Sequence, residues 1–153
     1  MNQDTFWCRL PLGSVTAIGA TLIAAAQIDI KRVLSYLCSA YMGLMFIAIG
    51  AQQPNAALLL GLTYALGMGG LVMASGSIVF NVTTQDVTQM GGLASRRPIT
   101  GLAMVIGAAG LAAMPPLGGF WALLSLVSGL WQSHRGELVV IVLLVNWLVA
   151  FSL

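Results

Sequence analysis

Charge is what this sequence has least of. Among 153 residues only six are Lys or Arg and four are Asp or Glu, 7% in all, against about 25% in an ordinary soluble domain. A soluble chain of this length needs a solvated exterior, and ten charges cannot cover one. Most of the surface therefore faces lipid, and the chain reads as an integral membrane protein. A net charge of +2, scattered along the chain, lacks the footprint of a nucleic-acid binder or of a protein for acidic substrates. The only histidine, His134, stands between Ser133 and Arg135 in a predicted loop, and a metal site needs several ligands. The two cysteines, Cys8 and Cys38, have no metal or redox spacing and read as small apolar fillers. No nucleophile with a base, carboxylate pair or phosphate loop is visible. The "GMGG" of residues 67–70 follows no strand and lies within a predicted span, so it is not a dinucleotide fingerprint. No flavin, haem or iron–sulfur motif occurs, so no catalytic residue, metal or cofactor is expected in this chain.

What the chain does have is long apolar runs, 59% of it being hydrophobic. A span needs about 20 such residues, which predicts crossings over 10–28, 30–50 and 54–80. Arg9 followed by "LPLGSVTAIGATLIAAAQ" imitates a signal peptide. Asp4 in the wrong place and the further spans argue against that reading. The polar stretch "NVTTQDVTQMGGLASRR" follows, and its Asn81-Val82-Thr83 matches a glycosylation sequon too short to be specific. Residues 98–132 are apolar for longer than one helix needs, and "MPPLGG" interrupts them at Pro115, Pro116, Gly118 and Gly119. Adjacent prolines remove backbone donors and block a continuous helix. Either two short spans form a hairpin, or one crossing is built from two half-helices. A break inside the membrane is tolerated only when buried in protein or lining a wet cavity, and such breaks recur at ion and substrate sites. A last span, 137–153, stops at "VAFSL" without polar flanks, like the edge of a fragment.

The few ions are concentrated. "AQIDIKRVLSY", residues 26–36, holds Asp29, Lys31 and Arg32. With alternating spans, Lys31, Arg32, Arg96 and Arg97 share one side, Arg9 lies opposite, and Arg135 depends on the hairpin question. The positive-inside rule makes the "DIKR" side cytoplasmic. Asp29 is placed to cap the second helix, whereas Lys31 and Arg32 at a helix start oppose its dipole. Inside the spans the polar groups are sparse: Thr63, Tyr64, Ser75, Ser77 and Asn146. Such residues serve more often as interhelical glue than as ion ligands.

Four motifs then fall in a familiar order. "AQIDIKRVLSYLCSAYMGLMFIAIG", "LTYALGMGGLVMASGS", "DVTQMGGLASRRPITG" and "AGLAAMPPLGGFWALL" resemble the large antiporter-like subunits of respiratory complex I and its relatives. The resemblance runs over roughly residues 12–153. Within the family the wording looks closest to subunit 5 of the cyanobacterial photosynthetic complex, in the form tied to carbon dioxide uptake. It implies an all-α polytopic bundle of about five spans, one broken, corresponding to the second of two inverted five-helix repeats. The 98–132 segment then becomes a single crossing broken near Pro115 and Pro116, with Arg135 on the non-cytoplasmic side. It further implies proton transport coupled to electron transfer to a quinone such as plastoquinone. Partners would be the bilayer, other membrane subunits of a large complex and a carbon dioxide-hydrating subunit, in a thylakoid or bacterial inner membrane.

The departures from the family pattern bear on mechanism. Where typical relatives carry a histidine and a lysine in the third span, this chain has Tyr64 and Met68. Where they carry a lysine after the break, it has Leu123. A mid-membrane lysine costs about 2.5–3.5 kcal/mol on insertion scales and is kept where it works. The matching charges that remain are Asp29 and Lys31, at the cytoplasmic mouth or as an interfacial anchor pair. Tyr64 and Ser77 are candidate hydrogen-bonding steps. Two rival readings are a non-pumping scaffold repeat that docks a partner, and a Na+/H+ antiporter subunit.

Overall fold

The computed structural model describes residues 3–82, 98–115 and 117–153, with the side chains of 3–9 and 78–82 left aside. Pro116, Arg96, Arg97 and Thr83 lie outside the described residues, as do the side chains of Asp4, Cys8, Arg9 and Asn81. The described residues form helices α1 (Gln3–Ala25), α2 (Ile30–Gly50), α3 (Pro54–Val82), α4 (Pro98–Leu111), α5 (Gly118–Gln132) and α6 (Gly136–Ser152).

Two boundaries differ from the reading of apolar runs. Helix α1 begins well before residue 10 and continues through Pro11. It stops at Ala25 rather than at 28, because the next residues close tight turns, the Gln27 N–H donating to the Ala24 carbonyl (3.1 Å). The chain must also be extended at Asp29 (φ −86°, ψ 116°) to cap α2. The Asp29 carboxylate accepts from the Lys31 backbone N–H at 3.1 Å, satisfying one orphan donor of the first turn. Arg32 Nε lies 3.7 Å from the same carboxylate. One of the two cations at this helix start is therefore tied back to the cap, which offsets its conflict with the dipole.

Three helix ends follow one design. Gln52, Ala113 and His134 each take a left-handed φ of 55–57°. The next N–H in each case reaches back five residues: Gln53 to Ala48 (3.0 Å), Met114 to Ala109 (3.0 Å) and Arg135 to Leu130 (3.1 Å). These are Schellman closures, which satisfy carbonyls that lipid could not. Pro54 opens α3 at its first helical position, where a missing N–H is harmless.

Close helix contact rests on glycine. A Cβ on Gly43 would stand 2.8 Å from both Gly13 O and Ala17 N, so the α1 and α2 backbones touch. Gly67 and Gly107 play the same part between α3 and α4. Small residues at crossings are the usual means of helix association without a hydrophobic driving force. The core is a continuous apolar cluster running through Leu37, Leu44 and Ile47 of α2, Leu111 of α4, Leu126 of α5 and Val142 and Val145 of α6.

The course of α4 and α5 decides the topology. Gly107 of α4 meets Gly67 and Leu71 of α3, Gly118 meets Thr63, and Gly129 of α5 meets Gln53 just before α3. The two helices thus run in series along α3, antiparallel to it, instead of folding back on each other. Their 14 and 15 residues rise about 21 and 22 Å, short of the roughly 30 Å hydrocarbon core singly but enough together. Helices α2 and α3 are long and apolar enough to cross alone. The architecture is an all-α, multi-pass transmembrane bundle with one broken helix.

Candidate functional site

The break is where the bundle brings polar atoms together at mid-membrane. Ending α4 at Leu111 frees its last carbonyls. The Ala112 and Met114 N–H groups take those of Ala108 and Ala109. The Tyr41 hydroxyl, from α2, donates to the Leu111 carbonyl. Tyr41 is 5% exposed and Leu111 2%, so this bond joins residues 70 apart in sequence inside the buried core. Glycine is required on the other side of the break. A Cβ on Gly119 would lie 2.0 Å from Gly110 O, and one on Gly118 2.9 Å from Thr63 Cγ2.

Tyr64 of α3 stacks on Tyr41, ring centroids 5.1 Å apart and planes inclined by 30°. Its phenol also lies beside the Cys38 thiol. Thr63, one residue earlier, donates its hydroxyl to its own helix, at the Leu59 carbonyl (2.8 Å) or the Leu60 carbonyl (3.1 Å). A small cavity of about 10 Å³ sits between these groups, walled by Tyr41, Thr63, Gly110, Leu111, Leu123 and Asn146 among others. Met68, one turn beyond Tyr64, is 9% exposed and packed in the core.

The four candidate residues of the sequence do not converge. Tyr64 belongs to the cluster at the break. Asp29 and Lys31 stand at the N-terminal end of α2, 12 and 10 residues before Tyr41, or about 18 and 15 Å along the axis. Ser77, 13 residues beyond Tyr64 on antiparallel α3, sits about 20 Å away, near the level of Asp29. Between these levels is a mainly apolar vestibule of about 290 Å³, its wall including Gln27, Ile30, Leu34, Leu71, Ala108 and Ser152. Asp29 and Lys31 stand beside it rather than in its wall. Of the helix-break residues, Pro115, Gly118 and Gly119 lie in or next to the turn between α4 and α5.

Sequence reading did not single out Tyr41, the residue that holds the break. Its neighbours along the chain show only an apolar helix, and the partner carbonyl lies 70 residues away. A hydroxyl on the buried face of α2, opposite a proline break, was the available signal.

Comparison with known proteins agrees with this architecture. Residues 5–148 match the family described as NADH:quinone oxidoreductase/Mrp antiporter, transmembrane. The chain is similar to NAD(P)H-quinone oxidoreductase subunit 5, organellar chromatophore 2, of Paulinella chromatophora. That match is 45% identical over 120 residues, covering 78% of this chain and 19% of the relative. It is similar also to NADH-ubiquinone oxidoreductase chain 5 of Pongo abelii, 40% identical over 114 residues, 74% of this chain and 19% of the relative. The protein of the same name from Patiria pectinifera is 39% identical over 117 residues, 76% and 18%. The chain thus spans about a fifth of the length of these relatives. With a family match over nearly its whole length and a helix broken at mid-membrane, the chain belongs to the NADH:quinone oxidoreductase/Mrp antiporter transmembrane family.

Proposed function

We propose that this chain is a membrane module of a proton-translocating NAD(P)H- or ferredoxin:quinone oxidoreductase, contributing to proton transport coupled to electron transfer. The observation that carries the reading is the break itself. A helix interrupted at mid-membrane, with a freed carbonyl gripped by Tyr41 and a small cavity beside it, is the kind of element tolerated where backbone is buried in protein or lines a wet path. The names of the relatives, subunits or chains 5 of quinone oxidoreductases, support the same setting. Redox groups and the quinone site belong, in this reading, to other subunits of the complex. Asp29 and Lys31 act at the cytoplasmic mouth beside the vestibule, and Tyr64 and Tyr41 serve at the break.

A thylakoid location, a carbon dioxide uptake form and a carbon dioxide-hydrating partner extend the proposal. They rest on the wording of the motifs alone.

A second reading makes this repeat a non-pumping scaffold that docks a neighbouring subunit. It is favoured by Met68 buried in the core and Leu123 in the cavity wall, the positions at which the family resemblance implies lysines. A Na+/H+ antiporter subunit is the third, since the family description includes antiporters.

The test uses the intact complex in its own membranes. Lys31→Met is expected to lower protons moved per electron without dispersing the complex. Unchanged proton flux sinks the role of Lys31. Adding Met68→Lys and Leu123→Lys separates the first two readings, since no gain in coupled transport supports the scaffold. Sodium-dependent transport without a redox partner points to the antiporter.

A further inference from the structure

We propose that the apolar vestibule beside the start of α2 takes an acyl chain of an anionic lipid whose headgroup is held by Lys31. The inference concerns lipid binding alone and does not depend on whether protons pass.

The vestibule calls for an apolar occupant. It measures about 290 Å³, against the roughly 30 Å³ that one water molecule takes up in the liquid. Ile30, Val33, Leu34, Leu71, Met104 and Ala108 supply most of its wall. Water inside would find few of the two to four polar partners that each molecule needs. A void of this size would forfeit the dispersion contacts of every side chain around it. The medium around the bundle is bilayer hydrocarbon, and a run of methylene groups matches this wall.

The vestibule also has the right course. Gln27 and Ile30 border it at the entry to α2, where a crossing helix meets the headgroup layer. Met104 and Ala108 stand six and ten residues beyond Pro98, the first residue of α4, or about 9 and 15 Å along its axis. Leu71, which packs on Gly107, closes the deep end at the contact of α3 with α4. The space thus runs lengthwise into the hydrocarbon, as an acyl chain does.

Charge selects the headgroup. The first turn of α2 holds Lys31 and Arg32 and no acidic residue. Arg32 is tied to the Asp29 carboxylate at 3.7 Å. Lys31 is exposed and makes no ion pair among the described residues. Two cations and one carboxylate leave one positive charge at this end of α2. A cation there opposes the helix dipole, so helix stability does not account for Lys31. Ile30 adjoins it, and Leu34 lies three residues on, on the same side of the helix. Both border the vestibule. The long stem of lysine lets its ammonium sit at the mouth while the charge stays in the headgroup layer. A lipid phosphate supplies the missing anion. Basic positions beside clefts between membrane helices hold anionic headgroups in this way, each cation enriching such lipids by about fivefold.

The test locates the lipid. The intact complex is placed in phosphatidylcholine nanodiscs carrying a minor share of phosphatidylglycerol brominated on its chains, and bromine is sought in a density map. A bromine peak inside the vestibule is expected, with its occupancy lowered by up to about fivefold in Lys31→Gln. Lys31 is exposed, so that substitution removes the charge without disturbing packing. Brominated phosphatidylcholine at the same share should give a peak no stronger than the one left in Lys31→Gln. A vestibule filled by a helix or side chain of the complex, or one without bromine, overturns the proposal. Equal peaks for the two lipids, or a phosphatidylglycerol peak unchanged by Lys31→Gln, overturn it as well. Because the readout is lipid occupancy, a Lys31 variant that still pumps leaves this inference standing, and a map without lipid leaves the proton-transport reading standing.

Discussion

Tyr41 shows how much one side chain can decide in a bundle without ions. Its ring belongs to the apolar core and stacks on Tyr64, while its hydroxyl satisfies the Leu111 carbonyl that the break sets free in a buried site. Removing one partner of a buried bond leaves the other unsatisfied, at about 1–3 kcal/mol. Tyr41→Phe keeps the ring and loses only that bond. We expect amide hydrogen exchange across residues 109–117 to speed up by roughly tenfold or more, at about 1.4 kcal/mol per decade, with distant helices unchanged. Tyr64→Phe, which keeps the stack and gives up only a thiol neighbour, should change exchange there much less. Equal effects from the two variants would remove Tyr41's special place. The same residue marks the limit of reading a sequence. Asp29 was legible as a cap because its partner, the Lys31 N–H, is two residues away. The Leu111 carbonyl is 70 residues from Tyr41, and no local pattern relates them.

Among elements, glycines separate contact from mere permissiveness. The glycines of "LPLGSVTAIGA" (Gly13 and Gly19) and "AYMGLM" (Gly43) look alike in the sequence. Yet Gly43 and Gly13 lie backbone to backbone, while a Cβ on Gly19 meets nothing within 4 Å. A methyl group on Gly43 would stand 2.8 Å from Gly13 O and Ala17 N and 2.9 Å from Ala17 Cβ. None of these can rotate away, so α1 and α2 must part, at about 1–3 kcal/mol. Gly19→Ala should be neutral or gain up to about 1 kcal/mol of helix propensity. Thermal half-lives of the solubilised protein check this: Gly43→Ala shortens the half-life and Gly19→Ala does not. If both shorten it equally, the α1–α2 crossing is not the tight contact described. The break itself was legible as an element because two prolines and two glycines in six residues leave no continuous helix. Which way the chain continues beyond it was not, since a hairpin and a broken crossing share one composition.

At the scale of the whole molecule, the path along α3 is what resolves that ambiguity. Gly107 against Leu71, Gly118 against Thr63 and Gly129 against Gln53 order the two half-helices along one line, so residues 133–135 come out on the face opposite Lys31. A pocket wall joining Leu10, Pro11 and Ser14 to His134 and Glu137 places that turn beside the start of α1. The vestibule wall joins Gln27 to Ser152, the other ends of the same two helices. Helices α1 and α6 are therefore parallel, as the three crossings between them (α2, α3 and the broken α4–α5) demand. A hairpin would reverse α6 and return His134 to the side of Lys31. Single cysteines at Lys31 and Ser133, in a background with Cys8 and Cys38 replaced by alanine, distinguish the two. A membrane-impermeant maleimide applied to sealed vesicles of known orientation should label Lys31→Cys only from the cytoplasmic face and Ser133→Cys only from the other. Both positions are exposed, so access limits neither reaction. Labelling of both from one face would mean that 98–132 turns back inside the membrane, and the broken crossing, with the cavity built on it, would have to be given up.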